Sequence, residues 1–230
     1  MLKKLSSNNL LSYLITISFF ILSCETNDLV SYGCTDPSAN NYDPLVSQDD
    51  GSCDFSTASQ LEIIGIIDFS LGNISGKAIH LKAKANIADL SIYSLGVANN
   101  GGGTDGIEIT FNSISVSAGD DILIARDEFL IGEYFSTCFT SFEYIFQDDA
   151  VNQNGDDAVE LFYNDEVVET FGDINVNGTG TAWEYTDSWA YKDVSGSVTF
   201  GSGNWIFGAI NCTDGTATIF ESSCLYPLCQ

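Results

Sequence analysis

Apolar residues between Leu61 and Phe220 gather in short runs rather than in long periodic stretches. The runs are Leu61–Asp68, Ala78–Lys84, Leu90–Val97, Ile107–Phe111, Asp121–Ala125, Phe142–Phe146, Ala158–Tyr163, Val167–Phe171, Ser188–Lys192 and Thr216–Phe220. Each has the length of a strand, and Gly, Asn, Asp and Ser punctuate the gaps. Apolar and polar residues alternate in Ile107-Glu108-Ile109-Thr110-Phe111 and again in Ile79-His80-Leu81-Lys82-Ala83. A period of two sends successive side chains to opposite faces, so His80 and Lys82 fall on the polar side of their strand. No long segment has helical spacing. About eight to ten short strands predict an antiparallel β-sandwich over residues 61–230, built as one domain.

The stretch 154–192 carries the pattern most clearly. Ala158–Tyr163 and Val167–Phe171 are separated by Asn164-Asp165-Glu166. Asn and Asp tolerate the left-handed backbone of a tight turn, so the pair reads as a hairpin. An aromatic run follows: Trp183, Tyr185, Trp189 and Tyr191. Alternation puts Trp189 on a core-facing side, and Trp205 is expected in the core as well. Trp183 and Tyr185 lie in the loop-like TGTAWEYTD and admit two readings, core residues or an exposed stacking platform for sugars or an aromatic partner.

Residues 1–23 are patterned differently. Lys3 and Lys4 precede an apolar run, Leu14–Leu22, followed by Ser23 and Cys24. This predicts an export signal, with an apolar run short of the ~20 residues of a membrane helix. Ile21-Leu22-Ser23-Cys24 resembles the lipobox of bacterial lipoproteins. The resemblance implies cleavage before Cys24, lipidation of its thiol, and attachment to the outer membrane or surface of a Gram-negative bacterium, with residues 24–31 as an acidic tether.

Residues 32–54 contain GCTDP…NYDP…DDGSC, which resembles a short motif of secreted and surface proteins of such bacteria. Cys34 and Cys53 frame it and are expected to close it as a disulfide. Asp36, Asn40, Asp43, Asp49 and Asp50 offer the hard oxygens that calcium takes. The spacing does not fit an EF-hand loop, because the first and third ligand positions fall on Val46 and Gln48. The segment therefore reads as a disulfide-closed spacer or a calcium-ordered one. Residues 55–60 form a small, polar linker.

Charge narrows the partners. The chain has 32 acidic and seven basic side chains, a formal net charge of −25. Both lysines of the signal leave with it, and the remaining field repels phosphate backbones, which disfavours nucleic acid. Seven cysteines cannot all pair; lipidation of Cys24 leaves six. Cys138, Cys212, Cys224 and Cys229 permit three pairings, and Cys212 is expected to pin the C-terminal tail through Cys224 or Cys229.

Candidate chemistry is sparse. His80 is the only histidine, and its place on a polar strand face near Lys82 and Lys84 reads as a solvated surface residue. That argues against a Ser-His-Asp or Cys-His centre and against a usual zinc site. The acidic loop 148–157 is the calcium candidate of the sandwich, through Asp148, Asp149, Asn152, Asn154 and Asp156. Its EF-hand register fails at Ala150 and Leu161. The other reading has Asp156 or Asp157 capping backbone amides where the hairpin begins.

Several pieces together resemble the lamin-tail domain of bacterial proteins. They are GKAIHL (Gly76–Leu81), Asp89–Gly103, Ser115–Ala125, NGDDAVELF (Asn154–Phe162), Trp183–Lys192 and GNWIF (Gly203–Phe207). The resemblance implies an immunoglobulin-like β-sandwich with a binding or adaptor role and no catalytic centre. The chain departs from it at His80, where that family usually has an acidic residue. The expectation is a lipid-anchored, non-catalytic envelope module that binds a protein or a polysaccharide. The alternatives are an extracellular hydrolase or its accessory subunit, acting on nucleic acid or glycan, and a calcium-dependent adhesion component.

Overall fold

The computed structural model describes residues 30–35, 42–52, 59–72, 76–200 and 203–230. Cys24, Asp36, Asn40 and Cys53 lie outside them. The chain divides into two units, Met1–Ser56 and Thr57–Gln230. In the first, β1 (Tyr32–Gly33) and β2 (Gln48–Asp49) pair in parallel. Asp43, Asp49 and Asp50 each accept a backbone N–H two residues ahead, from Leu45, Gly51 and Ser52 at 2.9 Å. These three expected calcium ligands thus form Asx turns. Cys34 is disulfide-bonded, and its partner lies outside the described residues.

The second unit contains β3 (Leu61–Asp68), β4 (Lys77–Ala83), β5 (Tyr93–Ala98), β6 (Ile109–Thr110) and β7 (Asp121–Ala125). Then come α1 (Glu128–Phe135), β8 (Tyr144–Gln147), β9 (Ala158–Tyr163), β10 (Glu166–Phe171), β11 (Ser188–Lys192), β12 (Val198–Phe200) and β13 (Gly203–Phe207). The strands form a four-stranded sheet, β10-β9-β5-β6, and a seven-stranded sheet, β12-β13-β11-β3-β4-β7-β8. The two sheets pack face to face as a β-sandwich. Leu61, Ile63, Ile79, Leu81 and Ile124 of the larger sheet meet Leu95, Val97, Val159 and Leu161 of the smaller. The β9–β10 hairpin turns on Asn164 (φ 48°) and Asp165 (φ 67°). Positive φ at both central residues is the turn whose twist matches the flanking strands.

Three elements differ from expectation. The sandwich is not wholly antiparallel: β7 and β8 run parallel, because α1 supplies the crossover that a parallel pair needs. That helix is too short to show a period in the sequence; Asp127 caps it by accepting from Leu130 N at 3.0 Å. Thr216–Phe220 is not a strand but leads into a single turn at Ile219–Glu221, and the extra strands are the hairpin β12–β13.

The larger sheet is also covered on its second face. There Ile67, Ala78, Leu123 and Ala125 pack against Ile131, Tyr134 and Phe135 of α1 and against Ile219 and Tyr226 of the tail. The second unit is therefore three layers deep along this sheet. The continuous apolar runs LEIIGIID of β3 and DILIA of β7 are the sequence counterpart, since a strand buried on both faces does not alternate. Disulfides Cys138–Cys229 and Cys212–Cys224 hold the tail down. Gly65 makes room for it: a Cβ there would lie 1.9 Å from the Tyr226 hydroxyl.

Candidate functional site

His80 is not a surface residue. It is 0% exposed, on the face of β4 that looks toward α1 and the tail. Its Nε2 lies 2.8 Å from Asp121 Oδ1 and its Nδ1 2.9 Å from the Tyr226 hydroxyl. An ionised carboxylate only accepts, so Nε2 carries the proton and Nδ1 accepts from Tyr226 O–H. Burial holds the imidazole below its usual pKa, against the pull of Asp121. The Asp121 carboxyl is itself below the usual range: burial raises it, but hydrogen bonds from His80 and Lys82 outweigh burial. Lys82 Nζ reaches both Asp121 oxygens, at 2.9 and 2.8 Å. Phe142, Tyr191 and Tyr226 pack around the imidazole. The sequence pattern is correct about sidedness here; what it lacks is the third layer, which turns a polar face into an interior.

The acidic loop is held together by its own hydrogen bonds. Asp157 accepts from Asn100 N at 2.6 Å and Asn154 N at 3.0 Å. Asp156 accepts from Thr179 Oγ1 at 2.7 Å, and the Asn154 amide, oriented to donate, bridges Asp156 and Asp157. Asp148 caps Ala150 N at 2.9 Å, and the Asp149 carbonyl accepts from Arg126. Asn152 Oδ1 is buried without a partner. Asn154, Asp156 and Asp157 thus converge, while Asp148 is occupied with its own turn. Burial raises the Asp157 carboxyl above its ordinary pKa, opposed by those two backbone amides. Among the described residues, no group of three or more His, Cys, Asp or Glu side chains is placed to hold a metal ion.

Trp183 and Tyr185 are 7% and 0% exposed, which corrects the platform reading, because a stacking platform must present its faces. Trp183 meets Phe171 and Phe200 edge-on, and Tyr185 O–H donates to the Asp157 carbonyl at 2.8 Å. Trp189 and Trp205 are in the core, as alternation predicts. Another buried polar side chain went unnoticed in the sequence. Glu160 of β9 is 3% exposed and its Oε2 has no hydrogen-bond partner. It lies on the outer face of the smaller sheet, since Val159 and Leu161 on either side of it point into the sandwich.

Among the exposed apolar side chains of the described residues, two are adjacent on α1. Ile131, Tyr134 and Phe135 face inward, which leaves Phe129 71% exposed and Leu130 beside it. Phe129, Gly132 and Glu133, at i, i+3 and i+4, share the outward side. With Glu128, Phe139 and Gln147 they line a cleft of about 450 Å³. Gly132 shapes its floor: a Cβ there would press on the Phe139 ring at 3.0 Å. The sequence signal for this groove was faint, an Asp127 cap followed by Glu128 in a first turn of only eight helical residues.

No protein-family model matches this chain, and comparison with curated proteins and with solved structures gives no match.

Proposed function

We propose that the chain is a lipid-anchored, non-catalytic binding module of the cell envelope, with Cys24 as the lipid-bearing residue and the β-sandwich as the part that meets a partner. The observation that carries the reading is the burial of His80. The one histidine of the chain is sealed between Asp121, Tyr226 and a shell of aromatic rings, where a substrate has no approach, and it serves as a structural tie. The most exposed aromatic side chain among the described residues is instead Phe129 on α1, in a form suited to contact rather than to reaction. The lipobox-like tetrapeptide, the odd cysteine count and the lamin-tail-like strings support placement at the outer membrane or cell surface. The acidic charge supports a protein or polysaccharide partner over nucleic acid.

The test is fractionation of cells that express the wild-type chain or Cys24→Ser, with a clickable fatty-acid label. The wild-type protein should carry the label and sediment with membranes, and the variant should be unlabelled and soluble. An unlabelled wild-type chain, or a variant that still sediments with membranes, would overturn the anchor. Steady turnover of an extracellular polymer by the purified protein would overturn the non-catalytic part.

A further inference from the structure

We infer that the α1 groove seats a lysine or arginine side chain presented by a partner protein; the inference rests on the reading of the chain as a binding module and names the partner's chemistry. The groove joins two features. The rings of Phe139 and Phe129 line it together with the exposed side chains of Glu128 and Glu133. The long basic side chains have the complementary make-up, an apolar stem that lies along rings and a charged head that reaches past them.

The charge of the two carboxylates is uncompensated. Between Arg126 and Lys192 the chain contains no basic residue. Arg126 itself is committed to the carbonyls of Asp149 and Val151. Among the described residues neither Glu128 nor Glu133 forms an ion pair, since the lysines that do are held by Asp68, Asp121, Glu62 and Glu169. Gln147 Oε1 is taken by Glu128 N at 3.2 Å, so the charged acceptors of the lining are the carboxylates of Glu128 and Glu133. Two carboxylates beside two rings favour a cation over a neutral sugar, because only a cation meets their charge. The platform is firm as well: α1 is clamped to the larger sheet by its own buried face, and Cys138–Cys229 ties the segment after it to the tail. A rigid surface lowers the ordering cost of binding.

The exported protein is titrated with a fluorescein-labelled peptide that carries two lysines between leucines, and with an analogue in which glutamine replaces both lysines. Fluorescence anisotropy reads the binding. The lysine peptide should bind, weaken with added salt, and bind about fivefold to tenfold more weakly to Glu128→Gln/Glu133→Gln, in line with two exposed charge contacts. Phe129→Ser should weaken it by about tenfold. These positions are exposed, so folding is preserved and is checked by circular dichroism. Equal binding of the glutamine peptide, or unchanged affinity in both variants, overturns the groove while leaving a module that binds elsewhere. A neutral oligosaccharide that binds the wild type and is lost in Phe129→Ser also overturns it. Mass spectrometry of the recovered peptide separates the two readings: intact peptide agrees with a binding module, and cleaved peptide removes the module itself.

Discussion

The two faces of the seven-stranded sheet are held in different ways. Toward the smaller sheet, Ile63, Ile66, Ile79, Leu81, Ile122 and Ile124 meet Tyr93, Leu95, Val97, Val159 and Leu161. This interface is almost wholly apolar, and each of its strands belongs to a sheet. Toward α1 and the tail, the cover is one short helix and a segment with almost no regular structure. That cover is fixed by two disulfides, by the Tyr226–His80–Asp121 chain, and by Trp189 Nε1 donating to the Cys224 carbonyl at 2.8 Å. The lesson is physical. Sheets hold each other by area, with the burial term shared over many side chains. A short irregular segment offers too little area to offset its ordering entropy, so it needs cross-links and specific polar partners.

This contrast can be broken from either side. The largest effect is expected from Cys138→Ser/Cys229→Ser. The two residues are 91 apart in sequence, and loss of so long a closed loop costs about 4.6 kcal/mol in the chain-entropy model. Denaturant unfolding measures the cost, and limited proteolysis should cut first within the tail while the sandwich still resists. On the apolar face, Leu161→Ala should cost about 3 kcal/mol, through lost transfer and a cavity. Here hydrogen exchange should accelerate in both sheets together rather than in the tail. If the two variants lose protection in the same segments, the faces are not separable.

Next is His80→Leu, which leaves Asp121 and the Tyr226 hydroxyl short of a buried partner and should cost about 2 kcal/mol. It also sharpens the comparison through pH. The folded state keeps His80 neutral because burial lowers its pKa, whereas the unfolded chain takes up a proton below about pH 6.5. The unfolded state then binds more protons, so this part of the stability is present above pH 6.5. It is lost as pH falls toward the depressed folded value, with a slope of at most ~1.4 kcal/mol per pH unit. The Asp68 carboxyl works in the opposite sense lower on the scale: burial raises it against the pull of Lys77, so it is protonated earlier in the fold than in the unfolded chain. Stability measured between pH 7.5 and 5.5 should fall in the wild type and stay level in His80→Leu. An unchanged slope in the variant would place the titration elsewhere.

The smallest effect, and the one of opposite sign, is expected at Glu160→Gln. Removing a buried carboxylate that lacks a full set of partners should stabilise the protein by about 1 kcal/mol. A loss of stability instead would mean that the carboxylate makes a favourable interaction within the fold.

Much of the fold was legible. The strand-length runs of β3, β4, β7, β9, β10 and β11 are where their composition puts them, and Asn164-Asp165 makes the turn that its residue types favour. The burial of Trp189 and Trp205 followed from alternation and size. Less of the candidate site was legible. His80 was assigned the correct strand face but the wrong surroundings, and Trp183 and Tyr185 sat in a loop whose composition says nothing about depth. The α1 groove left only the faint signal of the Asp127 cap, because eight residues are too few for a helical period to stand out against apolar neighbours.

By itself the sequence determined where the strands lie, which side of the alternating ones is apolar, where the chain can turn, and that the product is a sandwich, because those properties are local. Tertiary structure alone decided what covers the second face of the larger sheet and which cysteines meet, 91 and 12 residues apart. Alternation states that two faces differ; it cannot state whether the polar one meets water or another layer of the same protein. That depends on contacts between segments far apart in the chain, and those contacts make an interior tie of His80 and leave Phe129 exposed.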